Sequence, residues 1–213
     1  MSTTDTTSMI GTRLRRLRLA SGRSLSSVAE SVGISPSALS QIETGAMQPS
    51  VNRLIEIVTE VGAPVSAVFD DHDVFAPHTL AAGTSEPIPG VHVSSAEGGA
   101  QGGGQGASAA TLGQGVVYRR LAPVALDGID LFESVYPPGA ASSIDGAMLV
   151  HAGYEMGSVV RGTLRFEFSE GTVELGPGGL LAFWATRPHR VVNASDDVPA
   201  AAIWLTLRDL SET

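Results

Sequence analysis

Residues 35–45 read SPSALSQIETG, and the reading of this run decides half of the fold. Ser35 stands where a side-chain oxygen caps the start of a helix. Pro36 follows in the first turn, where a missing N–H costs nothing. Leu39 and Ile42 recur at helical spacing as an inward stripe, and Gly45 closes the helix in the left-handed conformation that glycine adopts without strain. Ser37, Ser40 and Gln41 are left facing outward, with Ser35 and Pro36 at the tip. Hydroxyls and an amide suit phosphates and base edges, and Gln can pair with adenine through two hydrogen bonds. The helix N-terminus adds unpaired N–H groups and a positive dipole end for a phosphate.

Working outward, Ser24 caps a second helix with Val28, Ala29 and Val32 inward, and Gly33 turns the chain toward the third. In the first helix Leu14, Leu17 and Leu19 form an apolar side among arginines. Ser50 caps a fourth helix bearing Leu54, Ile55, Val58 and Val61, and PVSAVF at 64–69 predicts a short fifth. The second and third helices, joined at Gly33, have the lengths of a helix-turn-helix. Charge agrees with this placement. The chain of 213 residues has a formal net charge of −9, yet residues 1–69 carry six arginines against five acids, a net of +1, leaving −10 for the remainder. Phosphate affinity follows local charge, so an acidic average does not exclude a DNA-binding module at one end.

The stretch 9–69, carried by RLRLASGRSLSSVAESVGISPSALSQIETGAMQPSVNRLIEI, resembles the lambda-repressor-like helix-turn-helix domains of the XRE family. The resemblance implies an all-α five-helix domain whose third helix enters the major groove of a double-stranded operator. Ser35, Pro36, Ser37, Ser40 and Gln41 would be its DNA-contacting residues. It also implies an Arg18–Glu43 ion pair tying the first helix to the third. A single module makes few cationic contacts, so a homodimer on two half-sites is expected.

Residues 70–112 turn Gly-, Ser-, Ala- and Pro-rich, with AEGGAQGGGQGASAA at 96–110. Such a segment buries too little apolar surface to offset its ordering entropy and reads as a flexible linker, with VHV at 91–93 as one short strand within it. His72, His78 and His92 fall in this stretch and read as solvated. From 113 to 210 short apolar runs alternate with Gly and Pro, the pattern of an all-β barrel. GTLRFEF at 162–168 places Leu164, Phe166 and Phe168 on one face, AAIWLTL at 201–207 does so with Ile203, Leu205 and Leu207, and PPGAASS and GPGG mark turns.

Inside that zone VHAGYEMGSVVRG at 150–162 sets His151 four residues before Glu155, with PHR following at 188–190. Two neutral imidazoles and a carboxylate can occupy one face of an octahedral metal and leave positions for water or substrate. The same three groups can instead serve as hydrogen-bonding groups that shape a pocket or bind an effector. The order of Glu155, Gly162, Pro177-Gly178-Gly179 and His189 resembles the two cupin motifs, with Leu149 in place of the first histidine. This implies a C-terminal cupin (double-stranded β-helix) barrel and an α+β multidomain chain overall. His151, Glu155 and His189 would then hold one divalent metal (iron, manganese, nickel or zinc) or an effector.

Two functions follow from these resemblances. The pairing matches bacterial one-component regulators, in which the cupin binds a small molecule and modulates operator binding without catalysis. HAGYE also resembles hydroxypropylphosphonate epoxidase, which implies a mononuclear non-haem iron oxygenase using His151, Glu155 and His189. That enzyme recruits a lysine, and all thirteen basic residues here are arginine. The intact polar face of the third helix favours the regulator. Absent cysteines exclude disulfides and thiolate metal sites. No apolar run approaches a membrane span, and the N-terminus lacks the order of a secretory signal, so a cytoplasmic protein is expected.

Overall fold

The computed structural model describes residues 3–69, 109–122 and 126–208, with Thr3–Ser8 described by backbone alone. The stretch read as linker up to 108, including VHV and the three histidines noted there, lies outside the described residues. Four α-helices come first: α1 (Thr3–Ala20), α2 (Leu25–Ser31), α3 (Pro36–Glu43) and α4 (Val51–Glu60). The fifth helix is present as a single 3₁₀ turn, Val65–Val68. The serine caps form as local chemistry dictates. Ser24, Ser35 and Ser50 accept hydrogen bonds from the N–H groups of Ser27, Ala38 and Arg53 at 3.1, 3.1 and 3.2 Å.

Leu14, Val28, Leu39, Leu54 and Val58 are fully buried in the helical core. Leu19 differs from expectation and is 59% exposed. It lies about 200° around the helix from Leu17, so the two cannot share an inward face. The crossing of α1 over α3 depends on Gly11, where an added Cβ would lie 2.3 Å from the Ile42 carbonyl oxygen.

Among the described residues nine strands follow: β1 (Ala109–Thr111), β2 (Val117–Arg120), β3 (Ile129–Tyr136), β4 (Tyr154–Arg161), β5 (Leu164–Phe168), β6 (Gly171–Leu175), β7 (Leu180–Trp184), β8 (His189–Val192) and β9 (Ala200–Leu207). They form a six-stranded sheet in the order β1-β2-β3-β9-β4-β7 and a three-stranded sheet β6-β5-β8, with antiparallel pairing throughout. Period-2 alternation is clear in β3, where Asp130, Phe132, Ser134 and Tyr136 are buried and their neighbours are half-buried. In β9 the inward residues are Ala200, Ala202 and Trp204. Ile203, Leu205 and Leu207 share the opposite face, half-buried.

Helices and barrel are joined by a common core, because one cluster of buried apolar side chains runs from Ile10 through Phe69 to Trp204. Phe69 links the two parts, its ring 5.3 Å from Phe132 and 6.3 Å from Tyr118.

Candidate functional site

The first candidate surface is the outward side of α3. Ser35, Pro36, Ser37 and Gln41 are exposed and Ser40 is half-buried, while Leu39 and Ile42 point into the core. The Ser35 hydroxyl is engaged as the N-cap, which fixes the tip of the helix. The far end is held by Arg18. Its Nε and Nη2 donate to the two Glu43 carboxylate oxygens at 2.6 and 2.8 Å, and Nη1 donates to the Arg23 carbonyl at 3.1 Å. Both side chains are under a tenth exposed. The Glu43 hydrogen bond outweighs burial and raises the Arg18 pKa further, so the guanidinium stays charged.

The second candidate site is inside the barrel. Residues four apart in a flat strand lie about 13 Å from one another, yet His151 Nε2 is 3.0 Å from Glu155 Oε1. The chain bends between them. Gly153 adopts φ +109°, and an added Cβ there would meet the Leu207 carbonyl oxygen at 2.7 Å, so only glycine can make the turn. Glu155 then enters β4 facing inward, and His189 opens β8 with Nε2 3.7 Å from Glu155 Oε2. Potential ligand atoms of the three residues all lie within 4.8 Å of one another.

The outer nitrogens are committed elsewhere. Nδ1 of His151 is 2.9 Å from the Ala152 carbonyl oxygen, and Nδ1 of His189 is 2.9 Å from that of Arg187. A carbonyl only accepts, so each Nδ1 carries a proton, and a neutral ring then turns an Nε2 lone pair toward Glu155. Nε2 of His151 lies beside Glu155 and has no other partner among the described residues. A buried ring nitrogen aimed at a shared centre with a carboxylate and a second imidazole fits a divalent metal.

The electrostatics favour a carboxylate at Glu155 and a neutral ring at His189, while His151 is shifted toward its protonated form. Burial disfavours the Glu155 carboxylate, but the adjacent His151 more than offsets this and holds its pKa below the ordinary value. Burial likewise opposes charge on His151, yet Glu155 raises its pKa on balance. At His189 burial prevails over Glu155 and the pKa falls, favouring the neutral ring that binds metals.

A cavity of about 30 Å³ adjoins this cluster. Its walls include Tyr118, Tyr136, Leu149, Val191 and Trp204 from the barrel, and also Val51, Asn52 and Ile55 from α4. Burial keeps both tyrosines un-ionised. Gly157 admits the Trp204 ring, since an added Cβ would lie 2.7 Å from it. Sequence reasoning missed the α4 residues and the two tyrosines. The available signal was Asn52, a polar residue bordering the apolar arc of α4.

A helix-turn-helix domain model matches residues 10–68, and a cupin domain model matches residues 132–206. The chain joins an XRE-like helix-turn-helix domain to a cupin domain. This helix-turn-helix–cupin protein shares its fold with an HTH_3 family transcriptional regulator from Vibrio cholerae, at 21% identity and TM-score 0.65 over 98% of this chain and 100% of that one. Weaker likenesses reach the Cupin_2 domain of an XRE family regulator from Enterobacter cloacae (22% identity, 45% of this chain, 98% of that one, TM-score 0.39) and hydroxypropylphosphonic acid epoxidase from S. wedmorenis (16%, 94%, 98%, 0.41). Scores this low carry no functional argument. No curated protein matches the chain. The domain pairing fits a transcriptional regulator, and no described helix is long and apolar enough to cross a membrane.

Proposed function

We propose that the protein is a sequence-specific, non-catalytic transcriptional regulator. Its DNA-binding module spans 9–69, residues 70–112 connect the modules, and a sensor barrel at 113–210, to which β1 adds an edge strand, binds a small-molecule effector, with or without a divalent metal. One observation carries this reading. α3 presents Ser35, Pro36, Ser37 and Gln41 outward from a helix anchored at both ends, by the Ser35 cap and by the Arg18–Glu43 pair. Arg15 and Arg16 are exposed on α1 and supply local positive charge. Under this reading Gln41→Ala costs about 1–3 kcal/mol at the operator and relaxes preference at one base position. Genomic footprinting of the tagged chain, followed by binding-site selection with the variant, checks it. Unaltered base preference would remove Gln41 from the reading face.

The effector acts by linkage: it shifts operator affinity only by its differential binding to two arrangements of the protein, typically ~1–3 kcal/mol. The operator-binding form is proposed to be a homodimer. The outward face of the six-stranded sheet supports this. There Leu131, Leu205, Met156 and Ala182 form one cross-strand row, and Ile129, Leu207, Tyr154 and Trp184 form the next. These side chains are half-buried or exposed, and a two-fold dimer would pack this same face of both copies together. Leu205→Glu is expected to convert the dimer to monomer in light scattering and to weaken operator binding. A variant that stays dimeric would place the interface elsewhere.

A second reading, a mononuclear iron oxygenase in the cytoplasm, draws on the fit of His151, Glu155 and His189 to a metal. A bound metal would supply a Lewis-acidic centre with open positions. The protein's own contribution would be to hold that centre and bury the substrate beside Tyr118 and Trp204. The described cavity lining includes no arginine, so a phosphonate would find no cationic side chain there. Oxygen uptake with ferrous iron and a phosphonate panel is expected to stay at background; turnover would favour the enzyme.

A further inference from the structure

Helix α4 serves two domains at once. Val51, Asn52 and Ile55 are buried against the barrel, where they line one side of the cavity beside Glu155 and His189. Leu54, Ile57 and Val58 lie further round the helix and are buried too. The contact is specific as well as apolar. The Asn52 backbone N–H is one of the donors that the first turn of any helix leaves unpaired. It donates to the Ser142 carbonyl at 3.0 Å, and the Asn52 side-chain amide donates to the Ala147 carbonyl at 3.0 Å. Nearby, the Gly113 N–H donates to the Pro49 carbonyl at 2.8 Å. Ser142 is tied in turn to β8, since its N–H donates to the Val191 carbonyl at 2.9 Å and its hydroxyl accepts from the Val191 N–H at 3.1 Å. Val191 is two residues from His189.

The size of the cavity decides what this arrangement implies. About 30 Å³ is room for about two waters, so an organic molecule of several heavy atoms needs more space. Most of the barrel lining stands on laddered strands, with Ser142 and Leu149 outside them, whereas α4 is held over the cavity by discrete contacts. The roof therefore yields first.

We propose that the ligand pocket is composite, with Val51, Asn52 and Ile55 of the DNA-binding domain as its roof and as determinants of ligand selectivity, and that an occupying ligand lifts α4 off residues 142–147. The ligand is a small organic molecule that forms hydrogen bonds through neutral polar groups. The described lining offers the hydroxyls of Tyr118, Tyr136 and Ser142, the Asn52 amide, the Glu155 carboxylate and the His189 imidazole, but no guanidinium. The consequence for transcription rests on the regulator reading; the roof itself does not.

Hydrogen exchange on the full chain tests the roof without knowledge of the ligand. Val191→Phe fills the cavity from the barrel side and stands in for an occupant. It is expected to speed exchange in 51–60 and 142–147 about tenfold or more, with β3 and β9 still protected. Should that variant loosen the whole barrel, Asn52→Ala decides, because it removes one roof bond and leaves barrel packing untouched. It is expected to speed exchange in the same two segments by a smaller factor. Wild-type protection of both segments in Asn52→Ala, or in a folded Val191→Phe, overturns the proposal. Failure of the wild-type protein to footprint any promoter would instead remove the regulator reading and leave the roof standing.

Discussion

Replacing Arg18 by methionine should destabilise the helix-turn-helix domain by about 3–5 kcal/mol, the cost of leaving a buried charge without its partner. Glu43 is 5% exposed and receives two charge-assisted hydrogen bonds from Arg18. Without them its carboxylate must stay buried and unpaired, take up a proton, or pull the end of α3 into water. Each outcome disturbs the helix that carries Gln41. The double variant Arg18→Met, Glu43→Leu should recover most of the loss, because removing both partners leaves no orphan. Urea denaturation of the four proteins in the cycle measures this. A single-variant cost below about 1 kcal/mol would show that the pair behaves like a surface ion pair and does not anchor α3.

The second large effect is expected at the barrel cluster. If His151, Glu155 and His189 hold a metal, the protein should take up close to one equivalent of iron, manganese, nickel or zinc. His189→Ala should then lower that affinity by about 100-fold or more, since the loss of even an outer hydrogen-bonding partner of a ligand costs 10–100-fold. The reasoning is geometric: three donors within 4.8 Å of one another, two of them oriented by carbonyls on their far nitrogens, leave little to replace an absent imidazole. Elemental analysis and competitive titration of the purified chain give the numbers. Sub-stoichiometric metal in the wild-type protein, unchanged in His189→Ala, would reassign the three residues to direct contact with an organic effector.

Features that depend on adjacent residues were legible in the sequence. Serine caps, the turns at Gly33 and Gly45, and the outward side of α3 are set within a few residues of one another, so their chemistry is written locally. The Leu17–Leu19 expectation failed on local geometry, since residues two apart on a helix lie about 200° from one another and one must be exposed. Other choices between faces depend on distant chain. In β9 both faces are apolar, so alternation separates Trp204 from Leu205 without saying which lines the cavity. The spacing of His151 and Glu155 suggested a shared centre, but the bend that achieves it needs Gly153 against the Leu207 carbonyl, from a strand more than fifty residues on. The contribution of α4 to the cavity was not legible, because Ser142 and Ala147 lie about ninety residues beyond Asn52 and no local pattern announces such a partner.

That one helix is shared between two modules limits how this protein can be re-engineered. A chimaera that grafts a foreign repressor head onto residues 109–208 would arrive with the wrong side chains over the ligand and the wrong amide opposite Ser142. Its ligand response would be altered or lost even if both halves folded well. Drift in one module would likewise be restrained by the other, so that α4 must satisfy two constraints with a single set of ten residues.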